Sequence, residues 1–179
     1  MSNLYHGTSR KIADRILEEG LIPNGTDSTH RYHNAAMPRG CKPADPKHVY
    51  LISTFHHAVM FGYVRVMGHM AGGKFKVFSL VKGRKGRRYD DIIVFVIDER
   101  CLDKHLFRES DLYKGETAYQ GIIPSDALTH MLCIPVTKKL EMFIASMHSE
   151  ALRKYVGIDL VEHLGAKTLD FVNDPSSDG

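Results

Sequence analysis

Ile92-Ile93-Val94-Phe95-Val96-Ile97, closed by Asp98, makes the strongest structural demand in the chain. A nearly continuous apolar run of this length suits a buried strand, because a strand with one face in water alternates apolar and polar residues. Any fold adopted by the sequence must cover that strand, and the surrounding residues offer helices and further strands to do so.

Leu4-Tyr5-His6 reads as a short first strand, broken by Gly7-Thr8-Ser9, whose hydroxyls are N-cap candidates for a following helix. Ile12, Ala13, Ile16 and Leu17 recur at helical spacing, Gly20 is a natural stop and Pro23 prevents continuation. From Asn24 to Lys47 the residues are those of turns, without a sustained apolar period, so a long surface loop is expected. Val49 to Ile52 forms the next strand. Ser53 or Thr54 caps a second helix with an apolar side at Ala58, Phe61, Val64 and Val66-Met67, ending at Gly72-Gly73. Lys74 to Val81 is expected to pair with Ile92 to Asp98 as a hairpin around a basic turn. Glu116 to Ile122 and His130 to Ile134 add strands, interrupted at Pro124. Leu140, Phe143, Ile144, Met147, Ala151 and Leu152 trace one face of a long helix opened by Thr137, with a shorter helix near Leu160 to Leu164.

These elements define an α+β fold with helices on a largely antiparallel sheet. At 179 residues, with 43% hydrophobic and 25% charged residues, the chain suits one domain over residues 1–172. Its core is expected at 4–136, its C-terminal helices at 137–168 and a disordered tail at 173–179. No apolar run approaches the ~20 residues of a membrane span, and the amino terminus lacks the pattern of a secretion signal, so no membrane partner and a cytoplasmic location are expected. Cys41, Cys101 and Cys133 are odd in number and widely spaced, which suits reduced thiols. His30 and His33 have no second ligand pair nearby, so no metal is expected.

The formal charge of +3 is small, but Lys82, Arg84, Lys85, Arg87 and Arg88 fall in one short segment interleaved with Gly83 and Gly86. Such a turn fits either a solvated loop or a contact with nucleic acid or another acidic target.

Three signals carry chemistry. Tyr5-His6-Gly7-Thr8 ends a strand, where glycine allows a close backbone approach and histidine can bond a sugar hydroxyl. Tyr50 on a strand and Phe61 on the next helix can sandwich a flat heteroaromatic ring, although an isolated pair also fits core packing. Glu116 opens a strand, where a carboxylate can stabilise a cationic sugar transition state.

In this order the three resemble the ADP-ribosyltransferase superfamily in its His-Tyr-Glu branch, which contains diphtheria toxin and the poly(ADP-ribose) polymerases. The resemblance spans Leu4 to about Leu128 and includes Gly20-Leu21 after the first helix and Ile123-Pro124 after the glutamate strand. It implies a split antiparallel sheet with flanking helices, extended here by C-terminal helices, and NAD as co-substrate. His6 would bind the adenosine-side ribose, the Gly7 backbone would pair with the nicotinamide carboxamide, Thr8 would also contact the cofactor, and Tyr50 and Phe61 would hold the nicotinamide ring. Glu116, with His6 and Tyr50, would carry catalysis, and the loop from Asn24 to Lys47 would cover the dinucleotide. Ala58 stands where polymerase-like relatives often have a carboxamide-binding serine, and Phe61 where many have tyrosine. Lys114 replaces the acidic or amide residue of arginine-modifying relatives, which argues against an arginine acceptor. The expected activity is transfer of one ADP-ribose to a protein or nucleic acid, as a toxin, effector or regulator. An NAD glycohydrolase, an RNA 2'-phosphotransferase-like enzyme and an inactive binding module are the alternatives. The phosphotransferases carry an amino-terminal basic lobe before this strand, and no such lobe is expected here.

Overall fold

In the computed structural model, which describes residues 3–23, 45, 47–70, 90–110, 115–147 and 150–169, the apolar run lies inside a seven-stranded sheet whose described pairings are all antiparallel. The strands are β1 (Asn3–Ser9), β2 (His48–Ile52), β3 (Ile92–Asp98), β4 (Phe107–Glu109), β5 (Glu116–Gln120), β6 (Leu128–Ile134) and β7 (Lys167–Leu169). Their spatial order is β4-β5-β2-β1-β3-β6-β7. The α-helices among the described residues are α1 (Arg10–Glu19), α2 (Phe55–Met70), α3 (Lys138–Ser146) and α4 (Leu160–His163).

β3 is covered on both faces, as its composition demands. Ile92, Val94 and Val96 enter a core built with α2 and α3, and Ile93, Phe95 and Ile97 enter a second core with Ala13 and Ile16 of α1. The two cores follow from the period of two in a strand, which sends alternate side chains to opposite faces. β1 runs beside β3 from Asn3↔Asp98 to Ser9↔Ile92, so Tyr5, Gly7 and Ser9 share the α2 side, whereas Leu4, His6 and Thr8 belong to the α1 side. Between β1 and β2 the ladder narrows to one register pair, Tyr5↔Ile52. The sheet is thereby split into a β4-β5-β2 half and a β1-β3-β6-β7 half.

Local chemistry explains most of the element ends. Gly20 closes α1 at φ 80°, its N–H donating to the Ile16 carbonyl, and Thr137 and Asp159 cap α3 and α4 through their side chains. Ser9 precedes α1 but makes no capping bond; it is fully buried instead. Several sequence expectations change, beginning with the first strand, which continues through Gly7 and Thr8 to Ser9 instead of breaking after His6. β3 has β1 on one edge and β6 on the other, which leaves no edge for the expected hairpin with Lys74 to Val81, a segment outside the described residues. The long C-terminal helix stops at Ser146, and a 3-10 helix covers Glu150–Tyr155. Ser146 Oγ donates to the Phe143 carbonyl at 2.6 Å and Met147 N–H bonds only three residues back to Ile144, so side chain and tightened turn take up the last carbonyls. β5 ends at Gln120 rather than at Ile122, and β6 begins at Leu128 rather than at His130. Residues 173–179 and most of the expected loop from Asn24 to Lys47 lie outside the described residues.

Candidate functional site at the split in the sheet

Strand register decides which candidate residues meet. Tyr5 stands opposite Ile52, and Ile52 opposite Glu116. β4 pairs Glu109 with Thr117, so the next position, Ser110, stands across from Glu116. Directly paired residues share a face, which makes Tyr5, Ile52, Glu116 and Ser110 one row on the side covered by α2. Tyr50, two residues before Ile52, projects to that face beside the row.

Glu116 is buried at 9% exposure, and Ser110 Oγ donates to its Oε2 at 2.6 Å. Burial pushes the carboxyl above the ordinary glutamate range, and the Ser110 hydrogen bond acts in the opposite sense. The Tyr50 hydroxyl accepts the Asp45 N–H at 2.6 Å and lies 3.4 Å from the Asp45 carbonyl. Burial is the main cause of a raised Tyr50 pKa; the Asp45 N–H bond to the phenol oxygen opposes it, and the negative charges of Asp45 and Glu116 reinforce it. The phenol is therefore protonated at neutral pH. Its sensitivity to Glu116 also reflects their shared face.

His6 reaches the site differently. Alternation assigns it to the α1 side, but at the split its ring turns so that Nδ1 is 3.2 Å from the Tyr50 carbonyl. A carbonyl oxygen can only accept, so Nδ1 carries the proton and, in the neutral ring, Nε2 presents a lone pair. The ring is enclosed by protein even though the residue keeps some surface. Desolvation lowers its pKa to about 4, aided by the charge of Arg65 on α2 and opposed by the bond to Tyr50. His6 is thus a neutral acceptor near pH 7.

Gly7 serves packing as well as access. A Cβ there would lie 1.8 Å from the Ala58 carbonyl oxygen, so the missing side chain admits the backbone of α2. The bond from Arg10 N–H to Asp91 O fixes the phase of the β1–β3 ladder. In that phase the N–H and C=O of Tyr5 and Gly7 point away from β3 toward β2. At Gly7 they point into the split.

Phe61 is carried by α2 next to Gly62 and packs, half-buried, against the α2-side core, the side that Tyr50 also faces. Ala58 is fully buried. Thr8 is not brought to the site: it is 1% exposed, pairs with Ile93 and belongs to the α1 side, where strand alternation places it opposite Gly7. Register and alternation therefore gather Tyr50 and Glu116, one hydrogen bond adds His6, and Gly7 contributes backbone.

Sequence reasoning passed over Ser110 and Asp45. Asp45 lies at the end of the expected covering loop, and its link to Tyr50 was detectable only as proximity in sequence. Ser110 gave no signal, because the short strand before it was not foreseen. The basic stretch Lys82 to Arg88 and Lys114 lie outside the described residues. Among the described residues, no group of three or more His, Cys, Asp or Glu is placed to hold a metal ion, and no helix is long and apolar enough to cross a membrane.

A neutral imidazole acceptor, a phenol ring and a shielded carboxyl can together accept bonds from sugar hydroxyls, flank a flat ring and stabilise positive charge developing nearby. In comparisons with known proteins, the chain matches no family model and no curated protein.

Proposed function

We propose that this protein is an NAD-dependent mono-ADP-ribosyltransferase whose donor site lies at the split between β1 and β2. The observation that carries the reading is the meeting of Tyr50 and Glu116 on one face, with neutral His6 bonded to the Tyr50 backbone. The break in the sheet beyond Tyr5↔Ile52 also supports an ADP-ribosyltransferase-like split core. NAD enters as co-substrate, and no metal takes part.

In this reading His6 Nε2 accepts a hydroxyl proton of the adenosine-side ribose in a hydrogen bond, and the Gly7 backbone meets the nicotinamide carboxamide. Tyr50 and Phe61 flank the nicotinamide ring. The glycosidic C–N bond breaks with its electron pair leaving on nicotinamide, and the anomeric carbon becomes oxocarbenium-like. Glu116, ionised, bonds the nicotinamide-ribose hydroxyl and stabilises that charge, an effect strengthened where burial lowers the local dielectric. A nucleophile of the acceptor then attacks the anomeric carbon and loses its proton to solvent. The basic stretch Lys82 to Arg88 supplies a contact for an acidic or nucleic-acid acceptor.

The test is nicotinamide release from NAD, followed with the ADP-ribose label. Glu116→Gln preserves size and the possibility of a bond to Ser110 but removes the charge. Release is expected to fall about 100-fold or more, the scale on which deleting one preorganised electrostatic stabiliser acts, while the circular dichroism spectrum is unchanged. Undiminished release would remove Glu116 from the reaction. Label recovered only as free ADP-ribose, with every acceptor offered, would make the protein a glycohydrolase.

A further inference from the structure

The β4–β5 hairpin places a hydroxyl directly across from the carboxylate on which the proposed function rests. Glu109↔Thr117 is the last paired step of that ladder, and its continuation opposes Ser110 to Glu116. Opposed side chains in an antiparallel pair have Cβ atoms ~4.5–5.5 Å apart, which lets a serine hydroxyl reach a glutamate oxygen. The observed Oγ to Oε2 distance is 2.6 Å, in the short range of charge-assisted O–H···O⁻ bonds.

Resting on the donor-site reading above, we propose that Ser110 is a positioning residue that occupies Oε2 of Glu116, orients Oε1 toward the substrate and holds the carboxyl in its ionised form.

The geometry separates the two oxygens of the carboxylate. A glutamate with both oxygens free would rotate about its last torsion, which is broad and roughly two-fold. With Oε2 bound to Ser110, one rotamer is selected and Oε1 is the oxygen left for a ribose hydroxyl. The bond also counters burial, because a hydroxyl donates to a carboxylate more strongly than to a neutral acid. The direction of Ser110's influence on Glu116 agrees, since it lowers a pKa that burial raises.

Other described ionisable groups on the flanking strands do not duplicate this role. Tyr50 on β2 acts through proximity and is itself held by Asp45. Arg108 on β4 pairs with Ala118, and its guanidinium donates to the His105 and Phe107 carbonyls and to Gln120.

The experiment titrates the Glu116 carboxyl by carbon-13 NMR in wild type, Ser110→Ala and Ser110→Thr, with Glu116→Gln to assign the signal. The pH profile of nicotinamide release is measured on the same proteins. Removing one charge-assisted bond is expected to raise the Glu116 titration by about one pH unit in S110A. Because the ionised form is the active one, the acid limb of the rate profile should move up by the same amount. The deficit should shrink as pH rises past the new midpoint, and S110T should restore both readouts.

A Glu116 titration identical in wild type and S110A would overturn the role of Ser110 while leaving the donor-site reading intact. A rate loss in S110A that is equal at every pH and is not rescued by threonine would also overturn it, because that pattern belongs to general structural damage. Wild-type protein that releases no nicotinamide overturns the donor-site reading, and the positioning role with it, whatever the titration shows.

Discussion

Gly7→Ala isolates the contact that seats α2 on β1. The new Cβ would lie 1.8 Å from the Ala58 carbonyl oxygen, 2.7 Å from its carbon and 2.8 Å from the Gly62 nitrogen. All three are backbone atoms, so no side-chain rotation relieves the overlap. The helix must withdraw by on the order of 1.5 Å to regain ordinary contact. That movement loosens the core in which Ala58, Val59 and Val66 are fully buried. Overpacking of this kind costs ~1–3 kcal/mol and occasionally more, and a rigid backbone neighbour puts the change at the upper end. The gain from a stiffer unfolded chain, about 0.4–1 kcal/mol, offsets only part of it. A net loss near 2–3 kcal/mol corresponds to a fall in Tm of roughly 4–12 °C for a domain of this size. Gly157→Ala is the matched control: φ is 78° there but nothing lies within 4 Å of the added carbon, so left-handed backbone strain of about 1–2 kcal/mol replaces the clash, set against the same unfolded-chain gain. Thermal denaturation by circular dichroism measures both. A Gly7→Ala protein that melts within about 2 °C of wild type would refute the packing role of this glycine, and an ordering in which Gly157→Ala is the more damaging would refute the reasoning from sterics.

Two further outcomes follow from the charges. His6 has a pKa of about 4 when folded against 6.5 for the free side chain, so the unfolded chain takes up its proton first as pH falls. The stability from the neutral ring is complete above about pH 6.5 and is lost progressively down to about pH 4, a change of at most about 3 kcal/mol. Urea midpoints for wild type and His6→Gln across that window should therefore converge or cross toward acid, and parallel curves would exclude His6 as the titrating group. For the acceptor, charge reversal at Arg84 and Arg87 should lower label transfer several-fold more than nicotinamide release, with the difference shrinking as salt rises; equal losses of both would separate the basic stretch from acceptor binding.

Local residue chemistry made much of the framework legible. The run from Ile92 has no polar position to offer water, which required a strand covered on both sides, and β3 has that cover. Ile12, Ala13 and Ile16 with Gly20 marked α1 and its end, because helical spacing and a glycine stop are properties of a few consecutive residues. Glu116 was correctly placed at the start of a strand. The C-terminal helix was extended too far because its apolar face continues past Ser146, whereas the hydrogen bond that helps end it depends on a side-chain rotamer. The hairpin expected beside β3 failed for another reason: neighbours in sequence were assumed to be neighbours in the sheet, and β1 and β6 hold both edges.

The candidate site divides along the same line. Residue identity marked His6, Tyr50 and Glu116 only weakly, and it was their order along the chain, with the resemblance to ADP-ribosyltransferases, that singled them out. Identity could not say that Thr8 turns to the α1 side, that a helix carbonyl fills the space beside Gly7, or that Ser110 faces Glu116. It also could not give His6 its protonation state, which arises from enclosure and from the carbonyl of a residue on another strand. The nature of each group is covalent and travels with the sequence. Register, burial and hydrogen-bond direction arise only when distant segments pair, so tertiary structure alone decided them.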